Sequence, residues 1–189
     1  MRICISHLSH YVKLLFHLKL IGNMAKVFLI SEQTIKQHTL INDNVDGVYL
    51  APAIEMAQDI DLTSLIGQDL IDKLSELVLT NKMGMDENKH YQTLLDKYIT
   101  PYLCWLITSN IQIAINYKLT NSGVIENTDE RKQRLSYNDS VALLNQYQHY
   151  ANAYATKLLD YLCDNHEKFP EYKHCDTDDL QLCNIYLPK

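Results

Sequence analysis

An all-α helical bundle is the fold class this sequence predicts, and three observations carry it. Apolar residues recur at steps of three and four through most of the chain. Only 5 Gly and 4 Pro punctuate 189 residues, too few turn-formers for a fold of many short strands. A 47% hydrophobic content supplies one compact core. The expected arrangement is about four main helices, with an extended loop or arm between the last two long helices and an irregular C-terminal arm. Its parts are a leader at 1–23, a helical domain at 24–165 and the arm at 166–189.

The leader, MRICISHLSHYVKLLFHLKLIGN, is apolar and basic. His7, His10, Lys13, His17 and Lys19 break its apolar run, and no small-residue cleavage site follows, so it reads neither as an export signal nor as a membrane span. Met24 then opens MAKVFLISEQTIKQH, a start suited to a soluble protein. Two readings follow: an extension from an upstream start codon, or a docking segment in which Leu8, Leu15 and Leu18 mark an amphipathic helix. VFLI is short and apolar, as in a small strand, and SEQTIKQH suits a brief helix capped by Ser31. After the turn-rich NDNVDG, Asp46 and Gly47 open a helix carrying Ile54, Ala57, Gln58 and Asp59, with Pro52 expected in its first turn, where a missing amide costs nothing. DLTSLIG reads as a tight connection. GQDLIDKLSELVLTNK continues as a helix with Leu70, Leu74, Leu77 and Val78 on one stripe.

NKMGMDEN is polar and breaks the chain before its longest periodic segment, His90 to Leu119. Tyr91, Leu94, Leu95, Tyr98, Ile99, Tyr102, Leu106, Ser109, Ile113 and Tyr117 fall there at helical steps and define a core-facing stripe. Pro101 removes an amide and crowds the preceding turn, which predicts a kink near 97–101. Leu103, Trp105, Ile107, Ile111 and Ile115 lie beyond that stripe, so burial on a second side, by a neighbouring helix or subunit, is expected. TNSGVIENTDERKQRLSYND is an extended loop or hairpin arm, long enough to be functional. Ser136 and Asp139 form a capping pattern. A helix then runs to about Cys163, with Val141, Leu144, Tyr147, Ala151, Tyr154, Ala155, Leu158 and Leu162 on its stripe. Beyond it, the tail with Pro170 and Pro188 shows no periodicity.

A formal charge of −6 argues against sequence-independent binding of nucleic acid, which needs Lys and Arg to neutralise phosphates. Thirteen Tyr against 3 Phe suits protein contact surfaces, because the Tyr ring is apolar and its hydroxyl tolerates water. Cys4, Cys104, Cys163, Cys175 and Cys183 form an odd, unpatterned set, so no disulfide framework is expected. Glu55, Asp59, Asp61, Asp69 and Asp72 offer oxygen ligands but read more simply as solvated helix faces. Cys163, His166, His174 and Cys175 match no common zinc spacing. No phosphate loop, nucleophile elbow or triad spacing occurs. The expectation is a protein that is not an enzyme and has no catalytic, cofactor or metal residues. Arg131, Lys132 and Arg134 form a basic patch that touches DNA, an acidic partner or only solvent. Tyr147, Tyr150, Tyr154 and Tyr161 are an aromatic surface or ordinary packing. The interface candidates are Tyr98, Trp105, Ile111, Ile115, Arg131, Lys132, Arg134, Tyr150 and Tyr161.

The order of landmarks across Val27 to Tyr172 resembles the head-tail connector (adaptor) proteins of tailed bacteriophages, those of crAss-like and related phages of Bacteroidetes in particular. The resemblance rests on LISEQTIKQH, YLAPAIEMAQDIDLTSLIGQDLIDKL, YQTLLDKYITPYLCWLI, the Asn-Ser-Gly-Val loop opening and ALLNQYQHYANAYATKLLDYL. It implies a virion protein of the neck, made in the host cytoplasm. Its subunits would form a homo-oligomeric ring of twelve beneath the portal protein, in contact with other neck or tail proteins. Double-stranded genomic DNA passes through such a ring without sequence-specific binding, and no membrane is involved. The alternatives are a small helical regulator that binds DNA or protein, and a metal-dependent hydrolase built on the acidic cluster.

Overall fold

The computed structural model describes residues 26–41, 45–120, 123–126 and 136–173. The protein is an all-α helical bundle with one small hairpin among these residues. Helix α1 (Glu32–His38) is followed by α2 (Gly47–Met56), which runs through a π-helical stretch (Ala57–Leu62) into α3 (Thr63–Ile66). Then come α4 (Gln68–Leu79), α5 (Lys89–Leu94), a second π-helical stretch (Leu95–Ile99), α6 (Thr100–Asn116), strands β1 (Tyr117–Thr120) and β2 (Gly123–Glu126), and α7 (Tyr137–Asp164). Counting through the π-helical stretches, the four main helices are 47–66, 68–79, 89–116 and 137–164.

The helix starts follow the capping chemistry of the sequence. Ser31 accepts from the Thr34 amide, Asp46 from the Val48 amide and Ser136 from the Asp139 amide, each filling one orphan donor of a first turn. Two boundaries have backbone causes. Gly67, at φ 81 and ψ 155, makes the corner between α3 and α4, a conformation that only glycine adopts without strain. The end of α4 uses Asn81 at φ 53: its amide donates to Val78 O and that of Lys82 to Leu77 O, the double closure that satisfies the last carbonyls. The break therefore comes from Asn81 rather than from Gly84.

Four local expectations are corrected. Val27 to Ile30 is not a strand; this strap is held instead by the side chain of Gln58. DLTSLIG is not a connection but helix, because the π-helical turn lets the chain continue from α2 into α3. Pro52 lies one turn further into α2 than expected. It has no amide to give the Val48 carbonyl, and both residues are exposed, so water can serve that carbonyl. Finally, α6 stops at Asn116, and Tyr117 to Leu119 belong to β1, which pairs antiparallel with β2 from Tyr117↔Glu126 to Thr120↔Gly123. Ahead of Pro101 the backbone widens into the π-helical stretch Leu95–Ile99, the helical irregularity that the missing amide favours.

One apolar core runs from Leu29 to Tyr172. Its axis is α6, packed by α7 along one side and by α2, α1 and the first π-helical stretch on the other. Leu103, Cys104, Ile107 and Ile111 are buried between these layers. On α4, Leu70, Ile71, Leu74 and Leu77 face the core, while Val78 is exposed. The core continues beyond Asn165: a 3-10 turn (His166–Lys168) brings in Phe169, which is fully buried, and Tyr172. Residues 166–173 thus pack as part of the bundle, and 174–189 lie outside the described residues.

Candidate interaction surfaces

The aromatic candidates meet one another between α7 and the helix formed by the second π-helical stretch and α6. Tyr98 stacks on Tyr161, with ring centroids 4.1 Å apart and planes 14° from parallel. Trp105 meets Tyr150 edge-on at 4.9 Å and Tyr147 at 5.8 Å. Tyr161 in turn reaches Phe169 at 6.0 Å, and Phe169 meets Tyr91 at 5.4 Å. These pairings run Tyr98 opposite Tyr161 and Trp105 opposite Tyr147 and Tyr150, so the two helices are antiparallel and the Tyr surface of α7 packs within the chain.

Tyr98, Trp105, Ile115, Tyr150 and Tyr161 are half-buried and keep an outward edge. Ile111 is 2% exposed and has nothing to offer a partner. Its position among the interface candidates is corrected: Ile111 is covered by the helices of its own chain, because α6 is the central helix of the bundle. Arg131, Lys132 and Arg134 lie outside the described residues.

A different surface escaped the sequence reading. Val48, Pro52, Met56 and Ile60 follow one another at steps of four along α2 and its π-helical continuation, and all four are exposed, Val48 at 71%, Met56 at 56% and Ile60 at 57%. The opposite face of the same helix is core, with Leu50, Ile54 and Ala57 buried. Because the helix is apolar nearly all round, its spacing alone does not say which face is covered. The N-terminal strap borders this surface. Gln58, itself buried, accepts from the Leu29 amide at 2.9 Å and donates to the Val27 carbonyl at 2.8 Å. Lys26 pairs with Glu55 and Asp59, and those two carboxylates hold its ammonium pKa above the usual lysine range. An open groove of about 500 Å³ separates the strap from α2, lined by Phe28, Leu29, Ile30, Ala51 and Ile54 among others.

The acidic residues are spread over separate partners. Glu55 and Asp59 converge on Lys26, Asp69 pairs with Lys173, and Asp72 accepts from Gln68. Asp61 is partly buried, which raises its pKa, and its charge adds to the burial that raises the pKa of Tyr102. Among the described residues no three His, Cys, Asp or Glu gather to hold a metal ion. His166 contacts the backbone carbonyl of Cys163, not its sulfur, and His174, Cys175 and Cys183 lie outside the described residues. No helix among the described residues is long and apolar enough to cross a membrane.

The fold and these surfaces define a helical domain whose aromatic seam packs within the chain and whose α2 carries an exposed apolar stripe. A family of unknown function, DUF6712, matches residues 62–179, and the chain belongs to it. No curated protein and no solved structure matches the chain. The family match spans α3 to the tail, so it includes the α6–α7 seam and the hairpin but leaves out the exposed stripe of α2.

Proposed function

We propose that the protein is a subunit of a head-tail connector, a ring beneath the portal of a tailed bacteriophage that joins capsid to tail. The observation that carries this reading is the length of chain between α6 and α7. Antiparallel helices packed side by side need roughly 2–8 linking residues. Here residues 117–136 intervene, and they include the β1–β2 hairpin and the basic run Arg131, Lys132 and Arg134. So long an insertion at the end of the two longest helices suits an arm that reaches a neighbouring subunit or the portal. A rotational ring needs two different faces of each subunit to meet, and an arm on one side with a receiving face on another meets that need.

The landmark order that resembles connector proteins supports the same reading. So does the net charge of −6, since acidic walls repel phosphates and let duplex DNA slide. The mechanism is mechanical: helices form the wall, arms lock neighbours, and no bond is made or broken. Particle imaging of the purified protein, alone and mixed with the portal of the same phage, tests it. Closed rings of twelve that cap the portal, lost when residues 121–135 are replaced by a short Gly-Ser link, are the expected result. A protein that stays monomeric at all concentrations and never binds portal or virions overturns it.

A further inference from the structure

We infer that the N-terminal leader, residues 1–25, docks on the exposed apolar stripe of its own chain, formed by Val48, Pro52, Met56 and Ile60. Three observations place it there. The first is where the segment joins the fold. Lys26 is tied to Glu55 and Asp59, one residue before Met56 and Ile60 on the same helix, so the point at which the leader joins the described fold lies beside the stripe. The strap that continues from it is clamped through Gln58 and borders the groove against Ala51 and Ile54.

The second is charge. The leader carries Arg2, Lys13 and Lys19 and has no Asp or Glu, whereas residues 47–62 carry Glu55, Asp59 and Asp61 and have no Lys or Arg. The third is size and pattern. Val48 to Ile60 spans about 18 Å of helix, which a leader helix of about twelve residues covers. Leu8, Leu15 and Leu18 recur at helical spacing within such a length, and residues 20–25 remain to turn the chain back. Tethering supplies an effective concentration in the millimolar range, so a contact too weak to hold a free peptide firmly is populated within one chain. This inference does not depend on the connector reading.

The test uses the full chain, the chain from Met24, and a peptide of residues 1–25. Among the described residues the core lies between Leu29 and Tyr172, and the chain from Met24 keeps all of these. With methyl-labelled methionine, the Met56 signal is expected to differ between the two chains and to return towards the full-chain position when the peptide is added to the shorter one. Met56→Ser with Ile60→Ser, both exposed, is expected to weaken peptide binding tenfold or more, read by fluorescence of a labelled peptide. A Met56 signal that is the same in both chains, with no peptide binding at about 1 mM, overturns the inference, that concentration being the range tethering supplies. So does a Met56 signal that depends on protein concentration equally in both chains, which would assign the stripe to a second copy.

Discussion

Helices α2 and α6 are both apolar on two sides, yet the chain treats them in opposite ways. α6 lies at the centre, with α7 on one side and α2 on the other, and Leu103, Ile107 and Ile111 of its second apolar side are buried in the same core, with Trp105 and Ile115 half-buried. α2 lies at the edge, so Leu50 and Ile54 are covered while Val48 and Met56 face outward. An apolar surplus in a helix therefore says that two sides want covering, and only the topology says whether one chain does it. Most of the double-sided Pro101 helix is covered within the chain, and the exposed apolar stripe is on α2.

Truncation should cost most at the end of the core packed against α5 and α7. Phe169 is fully buried among Tyr91, Tyr161 and His90, and Glu171 accepts from the Tyr91 hydroxyl at 2.8 Å. Phe169→Ala is expected to cost about 3–5 kcal/mol in a urea titration, the range for truncating a buried aromatic. A loss below about 1 kcal/mol, typical of surface positions, would mean that residues 166–173 are an arm after all.

Next comes the clamp between the strap and α2. Gln58→Ala removes both partners of the Leu29 amide and the Val27 carbonyl, and an unsatisfied buried polar group costs about 1–3 kcal/mol. Hydrogen exchange should show the Leu29 amide losing protection while the amides of α6 keep theirs. Equal loss in both would mean that the strap and the central helix open as one unit.

The central helix also responds to alkaline pH. Burial pushes the Cys104 thiol up to about 12 from an ordinary value of 9.0, and burial with the nearby Asp61 charge raises the Tyr102 hydroxyl. Both groups are neutral when protonated, so above the unfolded pKa the unfolded chain has released a proton that the folded chain keeps. The stability they hold is complete below about pH 9 and is lost as pH climbs from there towards the folded values, by at most about 1.4 kcal/mol per pH unit for each group. Denaturation midpoints between pH 8 and 11 check the sign. Cys104 should likewise resist alkylation at pH 8.5 until the protein unfolds, because only the thiolate reacts.

Much of the bundle was legible in the chain. Caps at Ser31, Asp46 and Ser136, the stripe of α7 and, apart from Val78, that of α4 follow from local chemistry, and the break after α6 reads as an extended loop or hairpin arm. What was hidden has a physical cause in each case. A π-helical turn changes which carbonyl an amide finds without changing the residue types, so the run from Gly47 to Ile66 looked like two elements. The end of α4 uses Asn81, a residue that enters the left-handed region less readily than glycine, while the glycine nearby, Gly84, lies three residues further on. Phe169 sits in a segment too short to show a period. For the surfaces, the aromatic residues of α6 and α7 were found but their partners were not, since Tyr98 meets Tyr161 and Trp105 meets Tyr150 only through the antiparallel pairing of two helices far apart in sequence.

The outward face of α2 should tolerate substitution best. In the chain beginning at Met24, Met56→Gln is expected to change global stability by no more than about 0.5 kcal/mol, as for an exposed position with no special contact. Ile107→Ala, on the helix with the same two-sided look, is expected to cost about 2–5 kcal/mol. Measured side by side in urea, the pair turns a difference in burial into a difference in free energy. A small loss at Met56 together with a large one at Ile107 leaves the outer stripe of α2 free for an occupant. Comparable losses would mean that Met56 is covered even without the leader, and the stripe would then be a fold surface like that of α6.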